Sequence, residues 1–325
     1  MTALTWIGSL WYWFANCTGP IYLWMTSKVD DRWMVAAACL VSTLAMMLAS
    51  ITNAVWQLYL TQGVLSGIGT SLCWFSCMRA PQQWFNKRRG LAVGITMSAS
   101  GVGGLVLNNL ANGCFRTIGY RWALRIFGFF DLVFLAIAAV TCFRLNPPAK
   151  NVPIVDVQDW KNRRFIILFL IHFVGNFAFY VPSGFVPTYA EYMDMDSWIK
   201  TNLSAIMSAM MVVGKIGLGF VSDYIGRFNM AVICGIMACI AHLCVWMTAT
   251  SEGSMWAFAV LYGLFGGGYI AMITAVIAEV VGVDRIDSGT GWAFFAWSWG
   301  GFAAQPVASA IIESGGGDNF TGAIM

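Results

Sequence analysis

The stretch MMVVGKIGLGFVSDYIGRF, Met210 to Phe228, sets one ammonium, Lys215, inside a long apolar run. It then places Gly219, Asp223, Gly226 and Arg227 in the spacing G-x-x-x-D-x-x-G-R. A cation at that depth is costly in lipid and marks a functional position by default. Lys215 precedes Asp223 by two helical turns, about 12 Å along a helix axis. Two readings stand side by side. Lys215 snorkels to the interface, or it presents its charge to a solute carboxylate, without the two-pronged grip that arginine would give. Two further charges lie in apolar runs. Arg79, near the end of one, is a boundary residue or a substrate ligand. Asp131, after Gly128-Phe129-Phe130, is the proton-coupling candidate or a helix-packing hydrogen-bond partner.

Enzyme chemistry has little to work with. The chain has two histidines, His172 and His242, and its nine cysteines form no CxxC pair and no His/Cys cluster with metal-ligand spacing. No GxxxxGK[ST] phosphate loop occurs, and a net charge of +3 without a dense basic patch excludes nucleic acid. The expectation is no enzyme, no cofactor and no metal. The cysteines read as small packing residues.

What positions these charges is a membrane. Charged residues are 10% of the chain and hydrophobic residues 59%, against about 25% charged in an ordinary soluble domain. Uncharged runs near the ~20 residues needed to cross a bilayer recur along the chain, separated by short charged turns. The turns are Lys28–Arg32, Arg79–Arg89, Arg116–Arg125, Glu191–Lys200, Asp223–Phe228 and Glu279–Asp287. The uncharged run Trp33–Met78 splits near Thr52-Asn53 into two spans. The expected fold is an all-α integral membrane protein with about ten transmembrane helices. Residues 1–143 form one bundle, 144–164 a proline-bearing polar linker, and 165–325 a second bundle.

Lysine and arginine orient the chain. With Met1 outside, Lys28/Arg32, the Lys87-Arg88-Arg89 turn, the linker, Arg227 and Arg285 all face the cytoplasm. The sequons at Asn202 and Asn319 then face outward as glycosylation candidates. Asn16-Cys-Thr lies inside a span.

The halves repeat. A shift of 197 positions pairs Gly94 with Gly291, Arg88 with Arg285 and Gly103-Gly104 with Gly300-Gly301. A shift of 195 pairs Gly19 with Gly214 and Arg32 with Arg227, and sets Pro20 opposite Lys215. A parallel repeat suits alternating access around a site between the halves.

On these residues the chain resembles the major facilitator superfamily, and its monocarboxylate-porter branch in fungal form. Trp84-Phe85-Asn86-Lys87-Arg88-Arg89-Gly90-Leu91-Ala92-Val93-Gly94 is similar to that branch's aromatic, Lys-Arg-Arg-bearing turn. Gly119-Tyr120-Arg121-Trp122 is similar to the entry of its sixth helix. Gly219 to Arg227 is similar to the second-half copy of the superfamily's cytoplasmic gate motif, while in the first half Ser27 and Lys28 stand where Asp-Arg is usual. The family has twelve spans. The repeat gives five per half here and leaves out the first and twelfth, as a clipped gene model or a degenerate copy would.

The resemblance implies a transporter that moves a small organic solute, foremost a monocarboxylate, coupled to protons, in the plasma membrane. The alternatives are an exporter of a secondary metabolite and a non-transporting relative. It implies an anion site at Lys215, with Phe177 and Tyr180 lining the path on a span broken at Pro182, Gly184 and Pro187. It also implies a cytoplasmic gate of Asp223, Gly226, Arg227, Lys87, Arg88 and Arg89. Met211 stands one turn before Lys215, where an acidic partner is expected, so an Asp–Lys proton pair is not implied. The partners implied are the lipid bilayer, an organic anion and protons.

Overall fold

The computed structural model describes residues 2–26, 28–142, 160–249, 251–282 and 285–314, and its regular structure there is entirely helical. The helices are α1 Thr2–Cys17, α2 Gly19–Thr26, α3 Asp31–Ile51, α4 Val55–Leu58, α5 Ser66–Trp84, α6 Arg89–Thr117 and α7 Tyr120–Thr141. After these come α8 Arg163–Tyr192, α9 Ser197–Ile225, α10 Arg227–Ile240, α11 Glu252–Val281 and α12 Ile286–Ser314. A π-helical turn at Tyr59–Leu65 fuses α4 to α5, and a second, Ala241–Trp246, extends α10. With α1 and α2 nearly continuous, these make ten rods among the described residues, at the places the charge-free runs predict. Six helical stretches are long and apolar enough to cross a membrane by length and composition.

Helix α3 shows why such rods form. Asp30 caps it, accepting from the amide of Asp31. Val35, Ala38, Ala45 and Ala49 make a fully buried stripe at helical spacing, and small side chains there let neighbouring helices approach closely. Its opposite face carries exposed Trp33, Leu40, Leu44 and Ile51, the dress of a lipid-facing surface. Helix α7 is apolar outward as well, exposing Phe129, Val133, Phe134, Ile137 and Val140.

One expectation fails. The span holding Pro182, Gly184 and Pro187 is not broken: α8 runs through all three. Each proline removes one backbone donor, and in a bundle neighbouring groups and local adjustment make up the loss. Breaks occur instead where glycine adopts a backbone other residues resist. Gly226 has φ +100° and is the sole residue between α9 and α10, and Gly119 has φ +81° ahead of α7.

By proximity the chain forms two compact units. The first holds Met1–Trp84, Leu110–Phe177 and Ile277–Pro306, the second Phe85–Asn109, Ala178–Val276 and Val307–Met325. Each draws helices from both 1–143 and 165–325. In the first, α3 packs against α5 and α7, and Gly19 meets α12, where an added Cβ would lie 2.5 Å from the Gly291 carbonyl oxygen. In the second, Gly94 meets α9 so closely that a Cβ would overlap the carbonyl oxygen of Lys215. Gly94 and Gly291 are the pair related by the 197-residue shift, so the repeat is visible as two like seams, one in each unit.

Candidate functional site

The second unit holds the G-x-x-x-D-x-x-G-R segment. The helical spacing puts Gly219 and Asp223 on one face of α9, and α6 lies against that face without side chains between. A Cβ at Gly219 would sit 2.9 Å from the Gly90 carbonyl oxygen. This approach brings the Asp223 carboxylate to the start of α6, where it accepts from the amides of Gly90 at 2.9 Å and Leu91 at 3.1 Å. These are amides that a helix leaves without intrahelical partners, at its positive dipole end. Arg227, one turn on, donates to the Asn86 carbonyl at 3.1 Å and lies 3.5 Å from Asp223.

The Lys-Arg-Arg turn contributes differently from expectation. Arg89 is buried and folds back on the Phe85 carbonyl at 3.2 Å. Lys87 and Arg88 are exposed, and their side chains make no hydrogen bond or ion pair among the described residues. The turn meets Arg227 through the backbone of Asn86, not through its charges.

Lys215 is 4% exposed, and it does not snorkel. Its ammonium donates to the Met97 carbonyl at 3.1 Å and to the Ser100 hydroxyl at 2.6 Å, both on α6. The same α6–α9 seam therefore carries a capped helix start at one place and a clasped cation two turns away. Sequence alone gives the cation but not its partner more than a hundred residues distant.

The first unit holds the other sequence candidates. Arg79 is not a boundary residue. It is buried, its guanidinium lies 3.4 Å from Asp31, and Tyr22 donates to the same carboxylate at 3.3 Å while meeting the Ser76 hydroxyl at 2.9 Å. That cation sits in an internal ion pair. Asp131 is half-buried on α7, and among the described residues its carboxyl makes no hydrogen bond or ion pair, so the helix-packing bond is not formed. Where the first-half gate motif would carry Asp-Arg, the Lys28 ammonium lies 4.0 Å over the Trp24 ring.

Phe177 stands edge-on to Phe173 at 5.7 Å on α8. Tyr180 is in the same helix, and its side chain lies outside the described residues. Asn202 lies two residues past the expected Glu191–Lys200 turn. It is inside α9, its amide donating to the Trp198 carbonyl at 2.7 Å. Asn319 lies outside the described residues.

A polar cluster that sequence reading passed over sits in the first unit. Asn176 donates from Nδ2 to the Trp297 carbonyl and to the Tyr12 hydroxyl, and the Trp297 indole donates to that same hydroxyl. One turn earlier, the His172 Nδ1 meets the Leu168 carbonyl at 2.9 Å, and its ring stands 5.7 Å from that of Trp297. Phe294 extends the aromatic wall toward Trp74 and Phe75. The signal available in the sequence was His172 and Asn176 at i, i+4 within the otherwise apolar stretch 165–182.

A model of the Major Facilitator Superfamily matches residues 1–305. The chain is 29% identical to an MFS transporter of Aspergillus flavus, over 98% of its own length and 72% of that protein's. It is 28% identical to the Fujikurins efflux protein of Gibberella fujikuroi, over 95% of its own length and 67% of that protein's. Its fold is similar to that of the human organic anion transporter MFSD10, with TM-score 0.78 and 13% identity, covering 98% of this chain and 80% of that one. These relatives correct the monocarboxylate-porter assignment to the broader family, with efflux proteins prominent in it.

Proposed function

Since the chain belongs to the Major Facilitator Superfamily, a family of multi-pass membrane transporters and not of enzymes, we propose that it exports a small organic solute of the secondary-metabolite kind. The observation that carries this is the similarity to a protein named for efflux of fujikurins along 95% of the chain. Export proceeds by alternating access, with residues 1–143 and 165–325 as the moving halves, 144–164 as the linker and a proton gradient as the energy source. The α6–α9 seam serves as the cytoplasmic gate in this reading, supported by Asp223 capping α6 and by Lys215 donating to it. Opening toward the cytoplasm, where an exporter loads, breaks both contacts. The plasma membrane is the expected location.

Carboxylate import is the weaker reading. It needs Lys215 as an anion site, yet two of the three ammonium hydrogens already go to Met97 and Ser100. A carboxylate would find one ammonium hydrogen left, at a side chain only 4% exposed.

The test uses yeast cells loaded with fujikurins. Cells expressing the chain are expected to retain less than cells with an empty vector, and the difference is expected to collapse when the proton gradient is dissipated. Equal retention overturns export. Labelled lactate uptake that Lys215→Ala abolishes would establish the carboxylate reading in its place.

A further inference from the structure

Two buried acceptors on α8 lack a partner. The Nε2 of His172 and the Oδ1 of Asn176 have no hydrogen bond, although these residues are 1% and 0% exposed. Their identity as acceptors follows from their neighbours. The Leu168 carbonyl can only accept, so Nδ1 of His172 carries the hydrogen and Nε2 of the neutral ring is bare. The Trp297 carbonyl can only accept, so the Asn176 amide nitrogen faces it and the amide oxygen is left over. Buried polar atoms are nearly always satisfied, and each exception needs an explanation. Two on one helix face, a single turn apart, ask for one ligand.

Resting on the export reading above, we propose that His172 and Asn176 form a solute subsite that takes a neutral, hydrogen-bond-donating aromatic or unsaturated molecule, such as a phenol or a lactam. Two bare acceptors need donors. A carboxylate would set its own lone pairs against them and be rejected. The Trp297 ring, 5.7 Å from that of His172, supplies flat apolar surface beside the acceptors, and Phe294 continues it. Access lies on the α1 side. Tyr12, in the other moving half, covers Asn176 and packs against the bare Gly301 backbone, so parting of the halves withdraws it.

The test uses the full chain in lipid nanodiscs and three labelled probes in equilibrium dialysis: 1,3-dihydroxynaphthalene, its dimethyl ether and 2-naphthoate. A site built to bind donors rejects the analogue lacking them, so the diol is expected to bind about tenfold more tightly than the ether, with the naphthoate weakest. His172→Phe is expected to bring the diol-to-ether ratio to near unity with the unfolding temperature retained, and Asn176→Leu to do the same. The wild-type ratio needs no variant, so a misfolded mutant does not spoil the test. Equal binding of diol and ether, no binding of either, or a ratio that His172→Phe leaves intact overturns the proposal, as it would if water alone occupied the acceptors. Failure of fujikurin export with the diol preference intact would sink the export reading and leave the subsite standing. Export with no diol preference would do the reverse.

Discussion

The carboxylate of Asp223 accepts from the first two amides of α6 inward from Arg89, those of Gly90 and Leu91, at 2.9 and 3.1 Å, while Arg227 approaches the same carboxylate only to 3.5 Å. The cap, not the ion pair, is the stronger tie. Hydrogen bonds to a charged group contribute about 1.5–3 kcal/mol each, whereas a partly exposed ion pair contributes about 0–1 kcal/mol. Thermal unfolding in detergent is expected to rank the losses Asp223→Ala above Asp223→Asn, and Asp223→Asn above Arg227→Ala. A loss for Arg227→Ala as large as that for Asp223→Ala would show that the pair rather than the cap holds the seam.

Glycines along α6 differ in what surrounds them, and substitution separates them. A Cβ at Gly94 would overlap the Lys215 carbonyl oxygen, which is backbone and cannot step aside, while Gly113 has nothing within 4 Å. Gly113→Ala is expected to be neutral or to stabilise by about 0.5–1 kcal/mol through helix propensity. Gly94→Ala is expected to cost more than that and to abolish the export proposed above, because the two helices must part. Equal tolerance at both positions, measured by folded yield and export, would contradict the seam.

Gly226 carries a different constraint. Its φ of +100° lies where a side chain is strained, and it is the whole connection between α9 and α10. Gly226→Ala is expected to cost about 1–3 kcal/mol of stability, read as a lowered unfolding temperature. Gly217→Ala, in α9 with nothing within 4 Å, should not lower it.

Much of this was legible in the sequence, for reasons that are local. Charge-free runs between charged turns mark the rods, since lipid forbids anything else at that length. The spacing of Gly219, Asp223 and Gly226 marks a tight turn with a carboxylate one helical turn inside it. Partners were not legible. Met97 and Ser100 are unremarkable residues until α6 packs on α9 and makes them the acceptors for Lys215. Arg79 read as a boundary residue because Asp31, its counter-ion, begins a different helix. Pro182 and Pro187 read as a break because proline's cost in an isolated helix ignores what a bundle supplies. His172 and Asn176 were passed over, and only the direction of their bonds shows two acceptors left over.

Lys215 tests whether its charge serves stability. Its partners survive its removal: the Ser100 hydroxyl also donates to the Met97 carbonyl at 2.9 Å, so neither is orphaned. Replacing a buried cation by an apolar side chain of similar length is often neutral or stabilising. Lys215→Met is expected to leave the unfolding temperature unchanged or raised. A large drop would mean that the clasp holds α6 to α9 in the resting state.

Arg79 and Asp31 are expected to behave in the opposite way, because removing either takes away the opposite charge that the other faces in a buried setting. Both side chains are buried, at 8% and 5% exposure, and 3.4 Å apart. Removing one partner of such a pair costs about 3–5 kcal/mol, chiefly through the uncompensated charge left behind, while replacing both with apolar groups restores much of it. Arg79→Met should therefore lower the unfolding temperature sharply. Asp31→Leu should do so as well, with an added loss from the Tyr22 hydroxyl that donates to it. The double variant is expected to be more stable than the sum of the two losses predicts, by about 1–3 kcal/mol of coupling. Additive losses would mean that the guanidinium and carboxylate are neighbours without being partners, and would return Arg79 to the pool of cations available to a solute.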